Sequence, residues 1–501
     1  MSPPLDGRPA TSNAPGVVPR TIHFVSLGCP KNRVDTEVML GVSDQAGYQL
    51  VGDPAEAQVI VVNTCGFIEA AKQESIDTIL ALSDLKQSGR CEKLVVSGCL
   101  SQRYPQVLAT ELPEVDHFLG SSDMLKLRPI LKVADAPEGQ HTRVGRILVG
   151  DPADYVFRLS DPRRLSLSPA SAYVKIAEGC SRACSFCAIP SFRGVQRSRP
   201  IGDVVGEVER LVATGTVEIN LISQDTVSYG RDLPTTAEDS PSSAPPSSGK
   251  GGRRQLVPLL QRLQTVAGLR WLRLFYLYPE KLDPALLDLL ASGGPLVPYV
   301  DMPFQHASDA MLTRMRRGYR AERQREIVET LRARVPHVFI RTAFIVGHPG
   351  ETDADFEALR EFVGQGAFDH VGVFRYSHED GTHSGGMQDL VPDDVVEARA
   401  EALLETQRAV SIRRLRNMVG RELEVLVEGQ SEESEFLLSG RHRGQAPEID
   451  GKVVLTNGTA KPGQLRHALV TDAGDYDLVA DLSRGHDSPE GPAKKRLNVL
   501  P

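Results

Sequence analysis

Three cysteines fall within one short stretch, Cys180-Ser-Arg-Ala-Cys184-Ser-Phe-Cys187, a C-x3-C-x2-C run. Three thiolates on one loop can bind three irons of a cubane 4Fe–4S cluster and leave the fourth iron without a protein ligand. An open iron is a place for chemistry, whereas a structural or electron-transfer cluster takes four protein ligands. A zinc site on the same loop would need a fourth donor and more usually starts from C-x2-C pairs. Phe186, just before the last cysteine, can wall one side of a flat ligand.

Three more cysteines close three similar phrases, Ile22-His-Phe-Val-Ser-Leu-Gly-Cys29, Val59-Ile-Val-Val-Asn-Thr-Cys65 and Leu94-Val-Val-Ser-Gly-Cys99. Each phrase is a β-branched apolar run ending in a small-residue turn. Such runs, alternating with helical stretches like Ile68–Leu85, predict βα units around a buried parallel sheet. Ligands of open α/β sheets bind beyond the carboxyl ends of the strands, so all three cysteines would share one rim. Any one of them could be a small buried hydrophobe. Three on equivalent strand ends predict a second three-thiolate cluster, whereas Cys91 lies outside the pattern and reads as structural.

The chain that carries these loops has 501 residues, enough for about three domains. A net charge of −8 argues against bulk electrostatic binding of nucleic acid. Seven cysteines are too few for a secreted disulfide scaffold. Residues 1–20 are Pro-rich and polar, with no apolar core for a signal peptide, and no apolar run is long enough to span a membrane. The expectation is a soluble, cytoplasmic monomer in a reducing compartment, which also suits thiolates kept for iron.

The predicted architecture is α/β in three parts. An N-terminal extension (1–20) precedes a parallel α/β domain that holds the first cysteine set (21–150). A partial (β/α)6 barrel follows (166–390), with strands Ala172–Ile176, Val217–Ile222, Trp271–Phe275, Tyr299–Asp301, Phe339–Val346 and His370–Phe374. Barrel active sites form at the C-terminal strand ends, which puts the Cys180 loop at the mouth. The Ser/Pro/Gly-rich stretch 232–255 reads as a flexible insertion, and 391–419 as a linker helix with mostly solvated charges. Five short strands between 420 and 482 predict a small OB-like barrel, and 483–501 a disordered tail.

Taken together, these residues resemble the radical S-adenosylmethionine methylthiotransferases, whose three domains come in this order and end in a TRAM-type barrel. The finer likeness is to the branch that modifies ribosomal protein S12. It rests on Ser26-Leu-Gly-Cys-Pro-Lys-Asn-Arg-Val-Asp-Thr-Glu37, Gln224-Asp-Thr226 with Tyr229-Gly230, and Asp301-Met-Pro-Phe-Gln-His306. The tRNA-modifying branch typically has Gln-Met-Asn where this chain has Pro30-Lys31-Asn32. The resemblance implies two 4Fe–4S clusters, one on Cys180, Cys184 and Cys187 and one on Cys29, Cys65 and Cys99. It implies S-adenosylmethionine on the open iron of the first, one-electron cleavage of its sulfonium, and sulfur insertion at an unactivated C–H. No general acid–base pair is expected for such a carbon.

Beyond the cysteines, Phe186, Gln224, Asp225, Gly347 and Glu351 are cofactor-binding candidates. Gln224 and Asp225 end the second barrel strand, and Phe339–Glu351 looks like the strand and turn beside the adenosine. An ordinary turn, with Glu351 or Thr352 capping the next helix, is the plainer alternative. Arg193, Arg197 and Arg199 could pair with a carboxylate of cofactor or substrate. His306 and His348 read as satisfied loop residues.

Charge bears on the substrate. Residues 421–481 carry six Lys/Arg against twelve Asp/Glu, and offer only Phe436 and Tyr476 for stacking. A barrel that grips RNA should be basic and aromatic, so an acidic one suits a basic protein partner. The expected substrate is ribosomal protein S12, alone or within the small ribosomal subunit, modified at an aspartate β-carbon. An electron donor and a sulfur source would be further partners. The alternatives are a tRNA adenosine methylthiotransferase and, from another class, a non-catalytic iron–sulfur or zinc protein.

Overall fold

The computed structural model describes residues 19–134, 144–166, 168–234, 254–280 and 282–484. The expected N-terminal extension, the 232–255 insertion and the C-terminal tail lie almost wholly outside them.

The first domain is a six-stranded parallel sheet, ordered β2-β1-β3-β4-β5-β6. Its strands are β1 (Thr21–Ser26), β2 (Gln49–Leu50), β3 (Val59–Thr64), β4 (Lys93–Gly98), β5 (His117–Leu119) and β6 (Ile147–Leu148). Strand side chains alternate between faces, and here both faces are covered. Val59, Val61 and Val95 enter one apolar layer, while Ile60, Val62, Leu94 and Val96 enter the other. That is why the runs are continuously β-branched rather than alternating. Cys91 belongs to the second layer, its thiol 3.4 Å from the Lys93 carbonyl.

Helix α1 (Pro30–Gln45) starts with proline at its first position, where a missing N–H costs nothing. It is not amphipathic, yet it is buried on nearly every side, including Asn32, Asp35, Thr36 and Glu37. A surface helix would show one apolar stripe. This one is enclosed between the first sheet and the second domain: Arg193 meets Asn32 and Asp35, Lys175 meets Asp35 and Arg163 meets Glu37, while Thr36 bonds back to Ser26 and Asn63.

The second domain is an open barrel of six parallel strands, ordered β14-β13-β12-β11-β10-β7. These are β7 (Ser171–Lys175), β10 (Glu218–Ile222), β11 (Trp271–Leu274), β12 (Leu296–Asp301), β13 (Phe339–Val346) and β14 (His370–Arg375). Two short strands, β8 (Ala177–Glu178) and β9 (Arg197–Ser198), pair antiparallel and bracket the Cys180 loop. Helix Asp393–Arg416 is more than a linker. Val396, Ala400 and Leu403 enter the barrel's core, and Arg399 and Gln407 are buried with them.

The third domain is a closed barrel ordered β15-β16-β17-β19-β18. Its strands are β15 (Glu422–Ser431), β16 (Ser434–His442), β17 (Val453–Thr456), β18 (Leu465–Ala473) and β19 (Leu478–Asp481). The α/β architecture with a small terminal β-barrel is therefore the one expected. The segment after β16 seats itself against the N-terminal ends of the larger barrel's strands. Arg273 donates to the Arg443 carbonyl at 2.9 Å, His370 meets the Gly444 carbonyl at 2.9 Å, and Tyr299 donates to Asp450 at 2.7 Å. Ala446 and Leu426 join Tyr173, Trp271, Phe275 and Tyr299 in one apolar cluster.

At the centre of this joint, Glu218 accepts from Arg441 at 2.6 and 3.1 Å and from Arg273 at 3.2 Å. Burial alone would raise the Glu218 pKa, but the two guanidiniums hold it at about 2. Removing one partner of a buried pair strands the other charge. Glu218→Gln, which leaves both guanidiniums without their shared carboxylate, should therefore lower stability by about 3–5 kcal/mol in denaturant unfolding. The double variant Glu218→Gln/Arg441→Met, which removes one of the two stranded cations, should recover part of that loss.

Candidate active site

Glycines let the loops of the first cysteine set converge. A Cβ on Gly28, where φ is +84°, would sit 2.7 Å from Cys65 Cβ and 3.0 Å from its Sγ. One on Gly66 would sit 2.7 Å from the Leu100 nitrogen. Asn32 ties the rim together, donating to the Leu27 carbonyl at 3.1 Å and the Thr64 carbonyl at 2.9 Å. Cys29 stands at the head of α1 and is exposed, while Cys65 and Cys99 are buried. Burial pushes the Cys65 thiol up to about 12, with Cys99 and Cys29 adding to the shift. Burial likewise pushes Cys99 up to about 11, against the pull of Arg193.

The second set is anchored from both flanks. Ser185 donates its N–H to the Met315 carbonyl at 3.1 Å and accepts from the Ser384 N–H at 2.8 Å. The Cys180 N–H donates to the Gly194 carbonyl at 3.0 Å. Burial pushes Cys187 up to about 12, and Cys184 and Cys180 add to it. Phe186 is half-buried between its two cysteines.

The two sets are neighbours. Cys99 shares one small apolar cluster with Ala188 and Phe192, and Phe67 and Ile189 pack against it. Ala188 directly follows Cys187. None of the six thiols is in a disulfide. Among the described residues, no three His, Cys, Asp or Glu side chains converge as a single ion requires. A zinc site gathers its donors about 2.0–2.3 Å from one point, whereas a cluster spreads its thiolates over separate irons. Two sets of three free thiols are a donor set that fits clusters with an open position.

The other candidates separate. Gln224 donates to Glu178 at 2.9 Å, but its Oε1 is buried without a partner. Asp225 accepts from Arg182 at 2.6 Å through Oδ2, while its Oδ1 is buried without a partner. Two unsatisfied acceptors near Cys180, on the side of the mouth where β10 ends, fit a ligand carrying ammonium or hydroxyl donors. Gly347 and Glu351 turn elsewhere. A Cβ on Gly347 would sit 2.3 Å from Val396, so its missing side chain makes room for helix Asp393–Arg416. Glu351 accepts the Gly347 N–H at 2.5 Å and pairs with Arg399 at 3.2 Å. Thr352, with Asp355, caps the following helix. His348 meets the Ser384 hydroxyl at 2.8 Å. His306 accepts two N–H groups on Nδ1 at 3.0 Å, and its Nε2 has no hydrogen-bond partner.

Of the three arginines, Arg199 pairs with Asp203 and Glu207, and Arg197 donates to backbone carbonyls. Arg193 reaches across to the first set. It donates to Cys99 Sγ at 3.2 and 3.3 Å, to Asn32 at 2.5 Å, to Asp35 at 2.9 Å and to Glu178 at 3.2 Å. Lys175 joins both carboxylates, completing a buried network between α1 and the barrel.

Two residues went unread in the sequence. Arg317 donates to Cys184 Sγ at 3.1 Å from 133 residues away, a distance in sequence that no local motif spans. Lys31 lies with its ammonium 3.1 Å from the Tyr276 ring centroid, and no carboxylate among the described residues pairs with it. Burial lowers its pKa to about 8, against Cys29 and Asp301. Asp301 itself is taken up by Arg341 and the Tyr276 N–H.

Burial raises the Glu351 pKa to about 7, although Arg399 opposes it. Between its unfolded value near 4.5 and 7, the folded state holds the proton that the unfolded state loses. Folding stability from this group therefore falls as pH rises through that window. Glu351→Gln should gain stability relative to the parent as pH goes from about 4.5 to 7, measured as the difference in Tm.

Comparison with known proteins agrees with this layout. Residues 21–120 match the Uncharacterized protein family UPF0004, 174–363 the Radical SAM superfamily and 419–482 the TRAM domain. A ribosomal protein uS12 methylthiotransferase RimO from Sorangium cellulosum is 56% identical over 94% of this chain and 93% of that protein. Its namesake in Myxococcus xanthus is 46% identical over 92% and 91%. Among solved structures, the radical S-adenosylmethionine methyltransferase TsrM from Kitasatospora setae shares the fold. It has a TM-score of 0.52 at 14% identity, over 78% of this chain and 89% of that one. The chain belongs to the RimO family of radical S-adenosylmethionine methylthiotransferases.

Proposed function

We propose that the protein inserts a methylthio group at the β-carbon of an aspartate in ribosomal protein uS12, using a 4Fe–4S cluster on each cysteine set. The observation that carries this reading is the shared contact of Cys99 with Ala188 and Phe192, which makes neighbours of the two thiol sets. One set would serve radical generation and the other the sulfur to be transferred. The uS12 substrate follows the name of the relatives, and Lys31 supports it. A buried cation without a salt bridge favours an anion entering the mouth, and an aspartate side chain supplies one.

When bound, the cluster and S-adenosylmethionine supply the one-electron chemistry that activates an unreactive C–H bond. The chain's own part is to hold and orient. The free acceptors of Gln224 and Asp225 suit the cofactor's amino and hydroxyl groups, and Phe186 offers a face to its adenine. Gly347 and Glu351 fix the end of β13 against helix Asp393–Arg416. An electron donor and a sulfur source complete the reaction.

The acidity of the small barrel supports the protein substrate less than its charge count suggests. Glu424 pairs with Arg270, Glu448 with Arg33 and Asp475 with Arg408, and Asp450 binds Tyr299. These acids hold the barrel to the rest of the chain.

Mass spectrometry of uS12 and tRNA from a deletion strain tests the substrate. The expected result is uS12 without its methylthio group. A tRNA that loses one while uS12 keeps its own would make the substrate an adenosine, with exposed Phe436 and Tyr476 as stacking candidates. Lys31→Met should weaken uS12 binding roughly ten- to a hundredfold and erase the preference for aspartate over asparagine at the target position. Iron content should not change.

A further inference from the structure

Each cysteine set is touched by one buried guanidinium. Arg193 places Nε and a terminal nitrogen 3.3 and 3.2 Å from Cys99 Sγ. Arg317 places one nitrogen 3.1 Å from Cys184 Sγ. Among the described residues, no other arginine or lysine side chain hydrogen-bonds to a thiol. The other hydrogen bonds at these sulfurs come from uncharged groups: backbone N–H groups of Arg182 at Cys180 (3.5 Å), Phe67 at Cys65 and Ile189 at Cys187, and Asn32, which accepts from the Cys99 thiol at 3.5 Å.

Both guanidiniums are locked without help from any ligand. Arg193 is 2% exposed and held by Asn32, Asp35 and Glu178. Arg317 is 5% exposed, donates to the Pro303 carbonyl at 2.9 Å and to Tyr319 at 3.0 Å, and stacks on Tyr278. Their charge environments differ. The charge of Arg193 is opposed by two carboxylates within 3.2 Å. No carboxylate among the described residues pairs with Arg317, whose neighbours are neutral phenols and a carbonyl.

Hydrogen bonds to cluster sulfurs are one of the levers that set a cluster's reduction potential. A cationic donor stabilises the reduced form, which carries one more negative charge, and so raises the potential. Low local dielectric strengthens the effect, and a nearby carboxylate weakens it. We infer that Arg193 and Arg317 each raise the reduction potential of the cluster bound by the cysteine they touch, Arg317 by the larger amount because its charge is not offset. Both are positioning residues that act through a ligand sulfur. The inference rests on the two-cluster reading above.

The test is a redox titration of the anaerobically reconstituted full-length chain, followed by electron paramagnetic resonance without S-adenosylmethionine. Arg193→Met should move only the cluster on Cys29, Cys65 and Cys99 to more negative potential. Arg317→Met should move only the other cluster, and further. Arg193→Lys and Arg317→Lys should restore part of each shift, and they carry the test if a methionine variant loses iron. Unchanged potentials at full iron content, a shift in the wrong cluster, or the larger shift at Arg193 would overturn the inference. An iron and sulfide count of one cluster in the parent overturns the two-cluster reading and the Arg193 half with it. Arg317 is then judged on the cluster that remains.

Discussion

Four buried charges hold this molecule in its working arrangement. Asp35 comes from α1 of the first domain, Lys175 and Glu178 from β7 and β8 of the barrel, and Arg193 from the segment after the Cys180 loop. Taking such groups out of water is expensive, and only close, complete pairing compensates. Burial raises the Asp35 pKa, while Lys175 and Arg193 overcome burial to lower that of Glu178. The arrangement is therefore intolerant of slippage, because shifting one domain against the other would leave carboxylate or cation unpaired in a dry interior. The enclosed, stripe-free character of α1 follows from the same requirement. What the network secures is the proximity of Cys99 to the loop that carries the other three cysteines.

Much of this was legible in the sequence because the governing signals are local. Continuous β-branched runs specify strands covered on both faces, and Phe339–Val346 is read with the limits it has in the structure. Short edge strands such as Gln49–Leu50 and Ile147–Leu148 were not read, since two residues carry no periodicity. The cysteines announced themselves by spacing and by their places at strand ends. The partners that complete the site did not. Arg317 looks like any arginine in a basic stretch, and its role depends on where Tyr278, Tyr319 and Cys184 come together in space. Lys31 stands in a quoted motif, yet nothing in the motif says that its charge would be left unpaired.

The turn after β13 shows how a residue type can mislead. Gly347 and Glu351 read in the sequence as a turn beside a nucleoside, but packing demands explain both. Glycine is required by the approach of Val396, and the buried carboxyl closes the turn through the Gly347 N–H. Gln224 and Asp225 had no stronger claim from sequence. They gain one because each keeps a buried acceptor that the protein leaves unused.

The seating of residues 443–450 beneath the larger barrel has a consequence for traffic. Ala446, Arg441 and Asp450 fill the lower end of the larger barrel and close that end as a way in. The end that stays in reach is the opposite one, where the rim carries the cysteines.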